Sequence, residues 1–159
     1  MKMTPKIGLS EIHLKNSADL LSILLADEMT LYVKTRKFHW NVRGNSFMEL
    51  HKLFEANYRE YEIIIDEIAE RINKLGHKTI GTMKEFLSLA RLKEKENNYP
   101  NQKEMLGELL DNNEQLIIEI RKMIDTCSNE NHDAGTADLL TKILQQHETI
   151  AWVVRRYLD

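Results

Sequence analysis

The stretch SFMELHKLFEANYREYEIIIDEIAERINKL, residues 46–75, decides the fold of this chain. Its apolar residues recur every three or four positions, which is typical of an amphipathic helix of about eight turns. The core-facing stripe consists of Leu50, Leu53, Phe54, Tyr61, Ile64, Ile68, Ile72 and Leu75. Ser46 and Glu49 match a capping box at the start, and Gly76 is placed to end the helix. The stretch therefore predicts one long helix that packs through one face.

A second face of the same helix carries four potential metal ligands. His51 and Glu55 are spaced i, i+4, and so are Asp66 and Glu70, which places the members of each pair on one side of the helix. All four side chains fall within about 100° of one another around the helix axis, away from the core stripe. This combination of one imidazole and three carboxylates indicates a metal site.

The length of the helix excludes a site built by one chain alone. Asp66 lies roughly 22 Å from His51 along a continuous helix, whereas the ligands of one ion lie within about 4 to 5 Å of each other. The two pairs are symmetric about the middle of the helix. An antiparallel copy therefore brings His51 opposite Glu70 and Glu55 opposite Asp66, and a two-fold dimer would form two identical clusters.

A solvated helix face is the alternative interpretation, because long helices commonly expose Asp and Glu. Tyr58, Ile65 and Ala69 flank the four residues and make this face partly apolar. A polar stripe edged by apolar residues suits a subunit interface. The residues by themselves leave both interpretations open.

The length, charge and cysteine content of the chain narrow the class of protein it can be. At 159 residues it is expected to form one domain, and its net charge of −3 gives no overall attraction to DNA or anionic membranes. The lone Cys127 excludes an intrachain disulfide and favours a reducing compartment, so we expect a cytoplasmic protein. No apolar run predicts a transmembrane segment or a signal peptide, and no membrane partner is expected.

The remaining segments complete a bundle. We expect a short N-terminal tail over residues 1–10 and the bundle domain over residues 11–159. Apolar periodicity predicts a first helix from Ser10 or Ser17 to Asn41, a third over 102–127 and a last over 136–157. A connector of 76–100 holds a short helix capped by Thr82. The fold class is therefore all-α: a four-helix bundle with a short extra helix between helices 2 and 3.

His39 adds a fifth ligand candidate. It lies near the end of the first helix, and the tight turn at residues 42–45 can fold it back toward His51. Imidazoles with carboxylates and no thiolate fit Fe(II), Mn(II) or Zn(II), and carboxylates stay good ligands when iron is oxidised, which favours iron. No His has a Glu three residues before it, so we expect no di-iron centre inside the bundle core.

Three segments carry a resemblance to a known family. KFHWNVRGNSFMELHKLFEANYREYEIIIDEIAERI, residues 37–72, resembles the ferroxidase segment of the Dps mini-ferritins, the DNA-protection-during-starvation family. TMKEFLSLA and GTADLLTKILQQHETIAWVVRRYL resemble the short connector helix and the last helix of that family. The resemblance implies a ferritin-like bundle. It also implies a mono-iron or di-iron site between two subunits, with His39, His51 and Glu55 from one and Asp66 and Glu70 from the other.

The same resemblance implies an iron-storage ferroxidase. Such a protein oxidises Fe(II), preferably with hydrogen peroxide, and stores ferric mineral inside a hollow dodecamer. Many family members have Asp where this chain has Glu55, and the longer side chain puts the ligation mode in question. Trp40 and Trp152 match tryptophans near the iron site, where radical quenching and ordinary core packing are both open. Asp133 and Asp138 match a three-fold pore, with helix capping as the alternative.

The rival function is DNA binding with DNA protection as the main role. Some family members bind DNA through a Lys-rich tail, but the tail here carries only Lys2 and Lys6. Charges this sparse are largely screened beyond about 8 Å at physiological salt. A structural bundle without metal is the third possibility, and the ligand symmetry argues against it.

Overall fold

The computed structural model describes residues 4–159, which form an all-helical bundle without strands in that part of the chain. The helices are α1 (Glu11–Asn41), α2 (Phe47–Lys74), α3 (Met83–Leu89), α4 (Gln102–Asp125) and α5 (Ala134–Arg156), and a π-helical turn (Thr126–Glu130) follows α4. Helix α1 packs mainly on α2, and α4 on α5. The predicted fold class is confirmed, including the short helix in the long connector. Lys2 of the tail lies outside the described residues.

The core is built from the periodic apolar positions of the four long helices. On α2 the predicted stripe is buried, except that Leu53 is only partly buried at the edge of the core. Opposing residues from the other helices include Leu21, Leu25, Leu31, Leu109, Leu116, Ile120, Leu140, Ile143 and Val154, all at most 1% exposed. Within residues 4–159, no helix is both long and apolar enough to cross a membrane.

The ends of α1 and α2 are defined by local hydrogen bonds. Ser10 caps α1, because its Oγ accepts the His13 N–H at 3.2 Å. At the end of α2, the His77 N–H donates to the Ile72 carbonyl at 3.2 Å, and Gly76 has a φ of +80°. This is a Schellman motif, which favours glycine. A Cβ on Gly76 would also lie 2.5 Å from Pro5 Cδ, so only glycine leaves room for the tail to pack here.

The capping box predicted at Ser46 is wrong. Its backbone, at φ −97° and ψ 27°, is not extended, and its side chain makes no capping hydrogen bond. An N-cap side chain reaches the first-turn N–H groups from an extended backbone, which the tight turn from α1 does not allow here. Capping boxes form instead at Thr82 with Glu85 and at Asn101 with Glu104.

The junction of α4 and α5 also differs from the prediction. The third helix was expected to end at Cys127 and the last to begin at Thr136. Instead α4 ends at Asp125 and continues as the π-helical turn, in which the Asn131 N–H donates to the Thr126 carbonyl at 3.0 Å. Helix α5 begins earlier because Asp133 caps it.

The long connector is held against α1 by one buried carboxylate. Asp27, which has no exposed surface, accepts hydrogen bonds from the backbone N–H groups of Arg91 and Leu92 at 2.6 and 3.0 Å. The Arg91 guanidinium pairs with the same carboxylate at 2.7 Å. The connector after α3 is therefore an ordered part of the bundle surface.

Candidate metal centre

His39 and His51 form a stacked pair where α1 turns into α2. Their ring centroids are 3.7 Å apart, with 18° between the ring planes. His39 Nδ1 lies 2.7 Å from the His51 carbonyl oxygen, and His51 Nδ1 lies 2.9 Å from the His39 carbonyl oxygen. A carbonyl oxygen only accepts, so both Nδ1 atoms carry a proton. The tautomer that these bonds select has its Nε2 lone pair free for a metal ion.

Aromatic side chains fix the orientation of the two imidazoles. The Tyr58 ring meets His39 edge-on at 5.3 Å between centroids, and the Phe47 ring lies 5.1 Å from that of His51. His39 is almost wholly buried, whereas His51 is half-buried. Tyr58 was expected on the flank of a subunit interface. It is buried against α1 and instead supports His39.

Glu55 lies one turn beyond His51 and is held by an arginine. Arg59 donates from Nη2 and Nε to the same Glu55 carboxylate oxygen, at 2.6 and 3.0 Å. This hydrogen bond, and then the positive charge of Arg59, lower the pKa of Glu55 below its usual value. A metal ion would compete with Arg59 for the Glu55 carboxylate.

Asp66 and Glu70 are not brought to the histidine pair. Both are exposed farther along α2, and Glu70 pairs with Lys74 at 3.0 Å. Among residues 4–159 no three His, Cys, Asp or Glu side chains converge closely enough to hold an ion. One chain thus carries two incomplete halves of the predicted ligand set. Their union across two chains remains a prediction.

Both tryptophans matched to the iron site lie on the surface. Trp40 is 65% exposed and Trp152 is 54% exposed, so neither packs in the core of its own chain. The core-packing interpretation is therefore wrong for a single chain. Trp40 follows His39 directly, and the Arg36 guanidinium lies over its ring at 5.3 Å.

Asp133 is a helix cap. Its side chain is 1% exposed and accepts hydrogen bonds from the Thr136 N–H at 2.9 Å, the Thr136 hydroxyl at 2.6 Å and Arg71 Nη2 at 2.8 Å. Burial would raise the pKa of Asp133, but the Thr136 hydrogen bonds and the Arg71 charge outweigh it and lower the pKa. A carboxylate held in this way cannot line a pore. Asp138 is exposed, and its expected place in a pore stays a prediction.

A buried polar network, which the sequence interpretation missed, crosses the bundle centre. It takes one residue from each long helix: Glu28, Tyr61, Asn113 and His147, all with no exposed surface. His147 Nδ1–H donates to Asn113 Oδ1 at 2.8 Å, and His147 Nε2 lies 2.6 Å from Glu28 Oε1. The Tyr61 hydroxyl lies 3.1 Å from Asn113 Oδ1.

This network argues against a metal centre inside the bundle. Both nitrogens of His147 are engaged, and Glu28 is the single carboxylate of the group. The absence of a Glu-x-x-His motif gave the same expectation. A sequence signal for the network existed: His147 lies between Ile143 and Ile150 on the core stripe of α5.

Comparison with known proteins agrees with this architecture. The family model described as a ferritin-like domain matches residues 18–159. DNA protection during starvation protein 2 from Bacillus anthracis is 36% identical over 91% of this chain and 98% of its own length. An uncharacterized low temperature-induced protein from a Nostoc species is 42% identical over 96% of this chain and 86% of its own length.

Solved structures give the same result. The crystal structure of a Dps protein from Vibrio cholerae superimposes with a TM-score of 0.91 at 30% identity, covering 100% of this chain and 98% of that one. Its description places that protein in a superfamily of ferritin-like diiron-carboxylate proteins. A Dps protein from Bacillus brevis gives a TM-score of 0.87 at 33% identity, over 92% of this chain and 97% of that one.

The bundle and the histidine pair define a ferritin-like protein. Within that class, this chain belongs to the Dps family.

Proposed function

We propose that this protein is an iron-storing ferroxidase whose reaction site lies between two subunits. Fe(II), the substrate, is bound by His39, His51 and Glu55 of one chain and by Asp66 and Glu70 of a second copy. The product Fe(III) is stored as mineral inside a hollow dodecamer in the cytoplasm. Family membership supports iron chemistry, since a similar protein is described as a diiron-carboxylate protein.

The observation that carries this proposal is the reciprocal bonding of the histidine pair. Each imidazole donates from Nδ1 to the backbone carbonyl of the other histidine, at 2.7 and 2.9 Å. The backbone of the α1–α2 turn therefore selects the tautomer that leaves Nε2 free, before any metal ion arrives. Second partners of this kind are what orient metal-ligating histidines in proteins.

The carboxylates complete the donor set and supply negative charge. Glu55 lies one turn from His51 and accepts hydrogen bonds from Arg59, which lower its pKa. Asp66 and Glu70 are exposed on the same helix, so a second α2 crossing antiparallel can present them without any rearrangement of the core. Oxygen ligands accommodate iron in both oxidation states, which an oxidation site requires.

Hydrogen peroxide is the proposed oxidant. Two Fe(II) ions give one electron each, one peroxide accepts both, its O–O bond breaks, and two protons complete two water molecules. No hydroxyl radical leaves such a two-electron step. The proposed role is therefore protection against oxidative damage as well as storage, because the reaction consumes both Fe(II) and peroxide.

Mixed oligomers test the division of ligands between chains. We expect His51→Ala and Asp66→Ala homo-oligomers each to lose most rapid Fe(II) oxidation. Oligomers that contain both variants should regain it, since each mixed dimer has one site with all of its ligands. Two affinity tags isolate the mixed species, and Glu49→Ala removes an exposed carboxylate of α2 outside the ligand set as the control. Verified mixed dimers without activity would refute the two-chain site.

DNA binding is a second candidate because relatives carry the name DNA protection during starvation. The net charge of −3 opposes it, and Lys6 is the single described lysine before α1. A gel-shift assay of the assembled protein at low and at physiological salt decides the question. Retardation that survives physiological salt would make DNA protection a direct activity of this chain.

A further inference from the structure

A second pair of histidines lies at the opposite end of α1 from the candidate iron site. His13 belongs to the first turn of α1, and His132 lies between the π-helical turn and α5. Their ring centroids are 5.5 Å apart, with 75° between the planes. His13 precedes His39 by 26 positions on one helix, which is roughly 39 Å. The two histidine pairs are therefore independent of each other.

The nitrogens of this second pair are available. Within residues 4–159, neither the His13 nor the His132 imidazole takes part in a hydrogen bond or an ion pair, whereas the rings of His39, His51 and His147 all do. His132 is exposed and His13 is half-buried, so an ion reaches the pair from solvent.

The backbone around both residues is fixed. The His13 N–H is held by Ser10, while His132 has a φ of +54°, a region that non-glycine residues seldom occupy. On either side of His132, the Asn131 N–H donates to the Thr126 carbonyl at 3.0 Å and the Asp133 N–H to the Cys127 carbonyl at 2.8 Å. Little backbone freedom is left for a ligand to remove on binding.

The separation of the rings matches that of two ligands on one ion. A tetrahedral zinc ion bound by two imidazoles at about 2.1 Å holds the ring centroids about 5.2 Å apart. The observed 5.5 Å differs by a few tenths of an ångström, which a small side-chain rotation supplies. We propose that His13 and His132 form a second metal site, for a divalent transition ion such as Zn²⁺, with water as the remaining ligands.

The donor set defines the class of ion. Imidazole nitrogens bind Zn²⁺, Ni²⁺ and Cu²⁺, whereas Mg²⁺ and Ca²⁺ require oxygen ligands. The site differs from the candidate iron site in having no carboxylate within the ligand pair. It holds a transition ion away from the place where Fe(II) is oxidised.

Zinc titration of the metal-free, full-length oligomer tests this site. His13→Gln and His132→Asn each remove one imidazole, and Asn tolerates the positive φ at position 132. We expect each variant to lose one zinc equivalent per chain, or to bind that equivalent roughly tenfold or more weakly because one of its two protein ligands is gone. His77→Gln is the matched control and should bind as much zinc as the unaltered chain.

His132→Gly, which removes the same ring and suits the backbone, guards against a folding artefact at position 132. Anomalous diffraction at the zinc edge then locates the ion. A peak between His13 and His132 supports the proposal. Unchanged zinc stoichiometry and affinity in both single variants would overturn the proposal. The two rings would then form an aromatic contact and no metal site.

Discussion

Replacing His147 by leucine should be among the most destabilising single changes in the core. The Glu28 carboxylate has no exposed surface, and His147 Nε2, at 2.6 Å, is the partner of its Oε1 atom. Its Oε2 atom already has no hydrogen-bond partner in the described part of the chain. His147→Leu therefore leaves a buried carboxylate with no partner at all, while a side chain of similar size limits the cavity.

The expected cost is about 3 to 5 kcal/mol of unfolding free energy, the penalty for removing one member of a buried pair. For a chain of this length, that corresponds to a fall in the melting temperature of roughly 6 to 20 °C. The assay is denaturant and thermal unfolding by circular dichroism, at one fixed chain concentration because the oligomer contributes to stability.

A double variant supplies the control. Glu28→Met combined with His147→Leu removes both polar groups, so stability should return to within about 1 to 2 kcal/mol of the unaltered chain. Asn113 keeps the Tyr61 hydroxyl as a donor in both variants. A single variant that costs less than about 1 kcal/mol, or a double variant no better than the single, would contradict the assigned role of the pair.

Three further predictions concern iron and acid. Asp138→Asn should slow mineral growth more than it slows oxidation at saturating iron, if the exposed carboxylate steers Fe(II) into a pore; unchanged uptake at low ionic strength would remove that role. Asp133→Ala should destabilise the fold by about 1 to 2 kcal/mol, because the Thr136 N–H at the start of α5 loses its cap. Folding lowers the pKa of Asp133. Its contribution to stability is therefore complete above the unfolded value of 3.8 and is lost as pH falls through the folded value. The difference in stability between the variant and the unaltered chain should shrink below pH 3.8. Stopped-flow oxidation of a stoichiometric Fe(II) load should be faster with peroxide than with air at equal oxidising equivalents, and equal rates would leave a general storage role.

The sequence predicts the long helices well because their apolar stripes are periodic and continuous. The α2 stripe and the Gly76 stop agree with the structure, since a repeated pattern and a left-handed residue are each local signals. The prediction of a Ser46 cap fails because the tight turn before Ser46 prevents the extended backbone that a cap needs. Asp133 caps α5 three residues before the expected start, and its partner Arg71 comes from α2, far away in sequence.

The sequence proposes residues for the candidate site, and their role as ligands stays a prediction, but it does not reveal their local chemistry. Spacing alone identifies four ligand candidates that one chain cannot place around a single ion: His51, Glu55, Asp66 and Glu70. In the described residues they do not converge. The stacking of His39 on His51 depends on the conformation of the connecting turn. No periodicity encodes such a contact. The Glu55–Arg59 ion pair, by contrast, has the i, i+4 spacing that a sequence can reveal.

The reciprocal bonds between His39 and His51 make the geometry of the histidine pair depend on the length of the interhelical turn. Each imidazole bonds to the main chain of the other histidine, so these two bonds do not depend on the identity of a neighbouring side chain, whereas Tyr58 and Phe47 orient the rings. The two bonds are therefore less sensitive to substitutions in neighbouring side chains than to insertions in the turn. Adding one residue to the turn would displace the two carbonyl oxygens relative to the two imidazoles. Loop lengthening, which most helical hairpins accept, would here disturb both bonds, and a designer who transplants the histidine pair has to carry over the turn together with the two histidines.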